Sequence, residues 1–92
     1  MREPSVTPTD LNSPCRVNDA LVTVETIEHD VDWHRHDNED KFFYVVDGRF
    51  AVDLEDRSIE LGPRQGFMIP KGRLHRTRAP EQSVVLIVGT SD

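Results

Sequence analysis

The sequence has almost no cysteine: Cys15 is the single thiol in 92 residues. One thiol excludes an internal disulfide framework and any zinc site built from several cysteines, and it is compatible with a reducing compartment. No apolar run approaches the roughly 20 residues of a transmembrane helix. The first residues are polar and interrupted by proline, unlike a secretory signal. We therefore expect a soluble cytoplasmic protein that does not associate with membranes.

Basic residues are also in short supply, with 11 Lys and Arg against 17 Asp and Glu and a net charge of −6. Non-specific nucleic-acid binding depends on surplus cationic side chains at phosphates, so we expect no nucleic-acid partner. The length suits one domain with a modest core and is too short for a doubly wound nucleotide-binding fold.

Residues 1–18 hold three of the six prolines, Pro4, Pro8 and Pro14, and show no helical or strand period. We interpret this stretch as an extended or disordered N-terminal arm, with an arm lying along another subunit as the alternative. The barrel domain is then expected over residues 19–92.

From Ala20 onward, short β-branched and alternating segments follow one another at 8–12-residue spacing. No stretch has a convincing helical period. Seven or eight short strands predict an all-β sandwich or barrel. Asp47-Gly48 lies between two apolar segments and predicts a β-hairpin with a type I′ turn, while Asp56-Arg57 marks a second turn.

Histidines provide the clearest chemical signal. His34 and His36 are two residues apart, so on a strand both rings would lie on one face about 6–7 Å apart. His75 follows in a distant alternating segment, which a barrel wall would bring close. Three neutral imidazoles suit Fe, Mn, Ni, Zn or Cu. The alternative is that His34 and His36 are solvated and His75 is a core residue with its hydrogen bonds satisfied.

Two motifs in order resemble those of a small single-domain cupin over residues 20–88. The first is His34-Arg35-His36, followed by an acidic loop and then by Phe42 to Gly48; the second is Pro70-Lys71-Gly72-Arg73-Leu74-His75. The resemblance implies a double-stranded β-helix, or jelly-roll barrel, whose open end holds a divalent metal ion on His34, His36 and His75. It also implies a small-molecule ligand and a homodimer.

Lys41 stands where the cupin pattern places an acidic metal ligand, and an ammonium repels a cation. Its strand parity with Phe43 predicts that it lies on the same face. Four solutions stay open. Three histidines and water complete the shell; Asp40 turns inward at a bulge; Glu39 reaches in from the loop; or the barrel is metal-free and Lys41 binds an anion. The pattern departs twice more, with Arg64 in place of glycine and Ala79 in place of asparagine.

Two functions follow from these alternatives. The first is a metal-binding cupin that handles a small molecule, with oxygenation, isomerisation, epimerisation and decarboxylation among the reactions of its superfamily. The second is a metal-free, non-catalytic module in which Lys41 replaces the acidic ligand. The residues beside His75 include Arg76 and Arg78, which alternation places outside the barrel. Trp33 and Tyr44 flank the first motif, and we interpret them as core or mouth residues or as an aromatic wall facing a ligand.

Overall fold

The computed structural model describes residues 10–11 and 13–90. Residues 1–9 and 12, most of the expected arm, lie outside the described residues. The described chain is entirely β-structure and turns, and none of it forms a helix long and apolar enough to cross a bilayer. Nine strands follow in order: β1 (Cys15–Val17), β2 (Ala20–Ile27), β3 (Val31–His34), β4 (Lys41–Asp47), β5 (Phe50–Leu54), β6 (Ser58–Leu61), β7 (Gly66–Ile69), β8 (His75–Arg78) and β9 (Ser83–Gly89). The first strand therefore lies within the segment 1–18.

The strands form two antiparallel sheets that face each other. One sheet has five strands in the order β1-β2-β9-β4-β7, and the other has four in the order β3-β8-β5-β6. Consecutive strands repeatedly change sheets, which is the pattern of a jelly roll. The all-β jelly-roll barrel expected from the sequence is confirmed.

Apolar side chains from both sheets fill the space between them. Alternation puts Phe43 and Val45 of β4 on the inner face, where Val85 of β9 joins them. Buried residues of the opposite sheet complete the core: Phe50, Val52, Leu54 and Leu61. Burying such a side chain contributes roughly 1.5–3 kcal/mol relative to leaving it exposed, so the core holds the two sheets together behind the site.

The hairpin predicted at Asp47-Gly48 is wrong. β4 pairs with β7 and β9, whereas β5 pairs with β6 and β8, so Gly48 is a corner between sheets. Only Gly48 has a positive φ there, of 94°, while a type I′ turn needs positive φ at two residues. A Cβ on Gly48 would lie 2.8 Å from Cα of Ser83, so the corner presses against the start of β9. The second predicted turn does join a hairpin, β5–β6, and the amide of Leu54 donates to the carbonyl of Arg57.

Candidate metal centre

His34 is the last residue of β3, and its ring is oriented by the backbone. Its Nδ1 lies 2.7 Å from the carbonyl oxygen of Asp32. A carbonyl only accepts, so Nδ1 carries the proton in this hydrogen bond and Nε2 keeps a free lone pair. The histidine is thus held in the tautomer that a metal ligand needs.

His75 opens β8 and faces His34 directly across the antiparallel pair. Its Nδ1 lies 2.8 Å from the carbonyl oxygen of Arg73, which again leaves the lone pair on Nε2. The side chain is only 1% exposed, and Nε2 is buried with no hydrogen-bond partner among the described residues. Buried polar atoms are nearly always paired, so an unpartnered nitrogen beside two other imidazoles has the character of a metal ligand.

His36 lies two residues beyond the end of β3, in the following loop. The expectation that His34 and His36 share a regular strand is therefore wrong for His36. Its backbone is anchored instead, because its carbonyl accepts a hydrogen bond of 2.8 Å from the amide of Gly72. Gly72 has a φ of 78°, which glycine adopts without strain. The Pro-x-Gly segment thus supports both the loop of His36 and the approach to His75.

The three histidine rings lie close to one another. Their centroids lie 4.3 Å apart for His34 and His75, 5.0 Å for His34 and His36, and 5.6 Å for His36 and His75. One candidate ligand atom from each ring lies within 4.8 Å of the others. Rings about 2.0–2.1 Å from a shared ion would have nitrogens about 3–4 Å apart, so small side-chain movements would bring all three into contact. The donor set and its spacing fit a divalent metal.

Burial and neighbouring charge favour the neutral form of His36 and His75. Burial is the main cause that lowers the pKa of His75, and the charges of the other two histidines and Lys41 add to it. Burial also lowers the pKa of His36, with the ammonium of Lys41 next in importance. Neutral imidazole is the form that coordinates a metal, so both shifts favour metal binding at neutral pH.

No carboxylate joins the histidine group in the described chain. Asp40 is exposed and accepts a hydrogen bond of 2.9 Å from the amide of Lys71, so it does not turn inward at a bulge. Glu39 is 7% exposed, and its Oε1 accepts a hydrogen bond of 2.9 Å from the amide of Thr90. Neither acid takes the fourth ligand position, which leaves two of the four alternatives: three histidines alone, or a site without metal.

Lys41 faces the interior, as its parity with Phe43 predicted. It pairs with Ile69 in the neighbouring strand, and its side chain lines the cavity that His34 and His36 also line. The cavity has a volume of about 380 Å³, in the size range of small-molecule sites. The site therefore combines three imidazoles, one ammonium and an apolar wall.

Several cavity residues were not identified from the sequence. The apolar wall includes Ile27 of β2, Phe50 of β5 and Ile87 of β9, and Glu25 and Glu28 lie at the mouth. The alternation of β2 contained the signal, since Glu25 and Ile27 share the parity that points inward. Without knowing that β2 lies beside β9, this signal could not be assigned to the site.

Charged side chains lie on the outer face of the four-stranded sheet, on the side opposite the cavity. Asp53 is 4% exposed and accepts hydrogen bonds from Arg76 and Arg78, both on the side opposite His75 as alternation predicted. The guanidinium of Arg76 also lies 5.2 Å from the centroid of Trp33. Trp33 is 41% exposed, so it is neither a core residue nor a wall of the histidine cavity.

One departure from the cupin pattern lies at a position where the backbone is left-handed, a conformation that favours glycine. Arg64 occupies the position at which the second motif has glycine, and its φ is 68°. The turn is held by hydrogen bonds that join Val45 to Arg64 and Gln65. The turn thus keeps its conformation with a residue that adopts it at a cost of about 1–2 kcal/mol.

Comparisons with known proteins agree with this fold and site. Residues 20–89 match the cupin domain family Cupin_2. The chain is 36% identical over 73 residues to the uncharacterized protein YdbB of Bacillus subtilis strain 168, covering 78% of this chain and 65% of YdbB. The chain thus spans slightly less than two thirds of that relative.

Solved structures give the same result. A cupin-2 domain containing protein from Shewanella frigidimarina superposes with a TM-score of 0.77 at 28% identity, covering 87% of this chain and 81% of that one. Protein NMB1881 from Neisseria meningitidis superposes with a TM-score of 0.76 at 23% identity, covering 91% and 89%. At 23% identity, the similarity to NMB1881 supports the fold alone.

Proposed function

The chain belongs to the cupin domain family, and from that premise we propose that it binds one divalent metal ion through His34, His36 and His75 and handles a small molecule beside it. The observation that carries the proposal is the unpartnered, buried Nε2 of His75, which faces two further imidazoles. Three protein ligands leave coordination positions open for water or a ligand, the arrangement of a metal that does chemistry. When bound, such an ion supplies Lewis acidity.

Each residue of the site has a separate part in this function. The carbonyls of Asp32 and Arg73 orient two imidazoles, and Gly72 anchors the third. The apolar wall excludes water and packs a ligand. Iron, manganese, nickel, zinc and copper all accept this donor set.

Metal analysis of protein purified without a histidine tag tests the proposal. We expect about one metal ion per chain, and a large loss of metal in His34→Ala. His29→Ala is the matched control, since His29 lines the cavity mouth but does not belong to the histidine group. A metal at 100 times its Kd adds about 2.7 kcal/mol of stability, which in a domain of this size raises Tm by about 10–20 °C. Protein that holds no metal and gains no stability from any of the five ions would contradict the proposal.

One observation favours the second function, a metal-free binding module. The ammonium of Lys41 lies on the cavity wall, and its charge acts on His36 and His75. The absence of bound metal, together with ligand binding that depends on Lys41, would establish this module instead.

We further propose a homodimer formed through the outer face of the five-stranded sheet. One row of side chains crosses all five strands: Cys15, Val22, Val88, Phe42 and Met68. A second row contains Val24, Leu86 and Tyr44. No member of either row is charged, although 30% of the chain is. An apolar face of this kind is typical of a surface that a partner covers.

The size of this face suits a second copy of the chain. The 29 residues of its five strands, at about 3.4 Å per residue and about 4.8 Å between strands, span roughly 470 Å² in plan, before side-chain relief is added. A standard interface buries about 800 Å² per partner. Light scattering should give the dimer mass for the wild type and for Glu60→Lys on the other sheet, and a monomer mass for Leu86→Arg with an unchanged circular dichroism spectrum. A monomeric wild type at 100 µM (about the highest routine concentration) would contradict this proposal.

The expected cytoplasmic location stays a prediction. It rests on the single cysteine.

A further inference from the structure

The histidine cavity contains one cation that no described residue pairs with. Lys41 is half-buried on the inner face of β4, and within the described chain its ammonium has no hydrogen bond and no ion pair. The backbone of β9 approaches closely, since a Cβ on Gly89 would lie 3.2 Å from Cε of Lys41 and closer still to Oε1 of Glu39, which accepts from the amide of Thr90. A half-buried ammonium beside an apolar wall gains free energy from a partner of opposite charge. A ligand that carries negative charge would supply that partner.

The cavity wall limits what the rest of the ligand can be. Apolar side chains from both sheets line it, among them Ile27, Phe43, Phe50 and Ile87. The volume of about 380 Å³ equals roughly a dozen water molecules at about 30 Å³ each. A compact organic body of about ten non-hydrogen atoms would fill much of this space and bury its apolar surface.

The charges at the mouth limit how negative the ligand can be. Glu25 and Glu28 line the same cavity and are exposed. The carboxylate of Glu39 is engaged by the amide of Thr90. A multiply charged anion would meet two carboxylates on its way to a single ammonium, whereas a monoanion would meet less repulsion. One carboxylate therefore fits better than a phosphate.

We propose that Lys41 recognises the carboxylate of a small monocarboxylic acid whose apolar body packs against Ile27, Phe43 and Ile87. The proposal rests on the metal-binding function above and names the ligand class of the same cavity. In this role Lys41 is a specificity residue: its position in place of an acidic ligand exchanges a fourth metal ligand for recognition of an anion. A divalent ion on the three histidines would add to the attraction for an anion, while the apolar wall keeps the requirement for an organic body.

Binding of matched probes tests the proposal on full-length, tag-free protein reconstituted with metal. Phenylacetate has ten non-hydrogen atoms and one negative charge; phenylacetamide has the same shape without the charge; inorganic phosphate supplies charge without an apolar body. Calorimetric titration should show phenylacetate binding at least tenfold more tightly than the amide or phosphate. Lys41→Met should abolish the preference for acid over amide, and Lys41→Arg should restore part of it. Lys71→Met changes the only other lysine, which is exposed, and should bind as the wild type does.

The metal content and the Tm of every sample should be measured as well, so that a failure of the carboxylate proposal can be distinguished from a failure of the metal-binding function on which it rests. Equal binding of acid and amide to metal-loaded wild type overturns the role of Lys41 and leaves the metal site intact. Tighter binding of phosphate, or no binding of any probe at 50 mM (far above a typical cavity affinity), overturns the ligand class. A Lys41-dependent preference in protein that holds no metal supports the carboxylate site and contradicts the metal-binding function.

Discussion

Replacing Asp53 with asparagine should destabilise the protein strongly, although Asp53 lies on the face opposite the histidines. Its side chain is 6% exposed and accepts four hydrogen bonds: from Ser58 at 2.6 Å, from Nε of Arg76 at 2.7 Å, and from Nε and Nη2 of Arg78 at 2.7 and 3.0 Å. The asparagine side chain would present an NH₂ group to these donors. Removing one partner of a buried pair costs about 3–5 kcal/mol. Because the arginine side chains keep 43% and 34% exposure and can rehydrate, we expect about 2–4 kcal/mol.

A loss of that size lowers Tm by about 10–25 °C in a domain of this length. Thermal and urea unfolding at pH 7 measure it. Asp56→Asn is the matched control, because Asp56 pairs with Arg73 at 2.9 Å but is 67% exposed. An exposed pair contributes about 0.2–1 kcal/mol. Equal losses of unfolding free energy in the two variants, or a loss below 1 kcal/mol in Asp53→Asn, would refute the conclusion that the buried carboxylate of Asp53 stabilises the fold through its hydrogen bonds.

The hydrogen bonds to Asp53 also make the stability of the protein depend on pH in the acid range. Hydrogen bonds from Arg78, then from Ser58 and Arg76, hold the pKa of Asp53 well below its ordinary value of 3.8, although burial opposes them. The folded protein therefore binds this proton less readily than the unfolded chain. The stabilisation is present above about pH 4 and is lost as pH falls towards the folded pKa. Asp53→Asn should show a shallower loss between pH 4 and pH 2, and an unchanged acid limb would contradict the mechanism.

Three further predictions concern the corner and the metal site. Gly48→Ala should lower the free energy of unfolding in urea by about 2–4 kcal/mol, because its φ is positive and a Cβ would lie 2.7 Å from the carbonyl oxygen of Gln82. Gly72→Ala should lower it by only about 1–2 kcal/mol, because its φ is also positive but the space around it is open. A larger loss in Gly72→Ala than in Gly48→Ala would contradict the close packing at Gly48. Because burial lowers the pKa of His75 from the ordinary imidazole value of 6.5, release of metal on acidification should be complete only below pH 6.5; release already complete at pH 6.5 would count against the shift. Lys41→Glu should bind metal more tightly in chelator competition, and unchanged or weaker retention would show that residue 41 does not face the ion.

The sequence was sufficient to predict the barrel and the histidine group. Alternation holds along β4 from Lys41 to Val45, so the inner parity of Phe43 and Lys41 followed from the pattern alone. The proximity of His34 and His75 depended on the resemblance, because spacing cannot show that β3 and β8 are neighbours. The local pattern of residues thus predicted which side chains face inward, whereas the pairing of distant strands had to come from the resemblance to cupins.

The corner at Gly48 shows why local turn signals can fail. Asp-Gly between apolar segments describes both a hairpin and a change of sheet, and the choice depends on the strands that flank it. Here β9 lies beside β4 and presses Ser83 against Gly48. His36 differed for a similar reason: its loop is positioned by Gly72, a residue 36 positions away in sequence.

The position of β9 has a consequence for how the protein is made. This strand is the last of the described strands in sequence, yet it lies between β2 and β4 and supplies Ile87 to the cavity. Chains emerge from the ribosome amino end first, and pairings between distant segments form slowly. Strands β2 and β4 of the larger sheet therefore cannot be joined until β9 has been synthesised. A ribosome-stalled chain that stops short of Ser83 should have neither a closed cavity nor the ability to hold an ion.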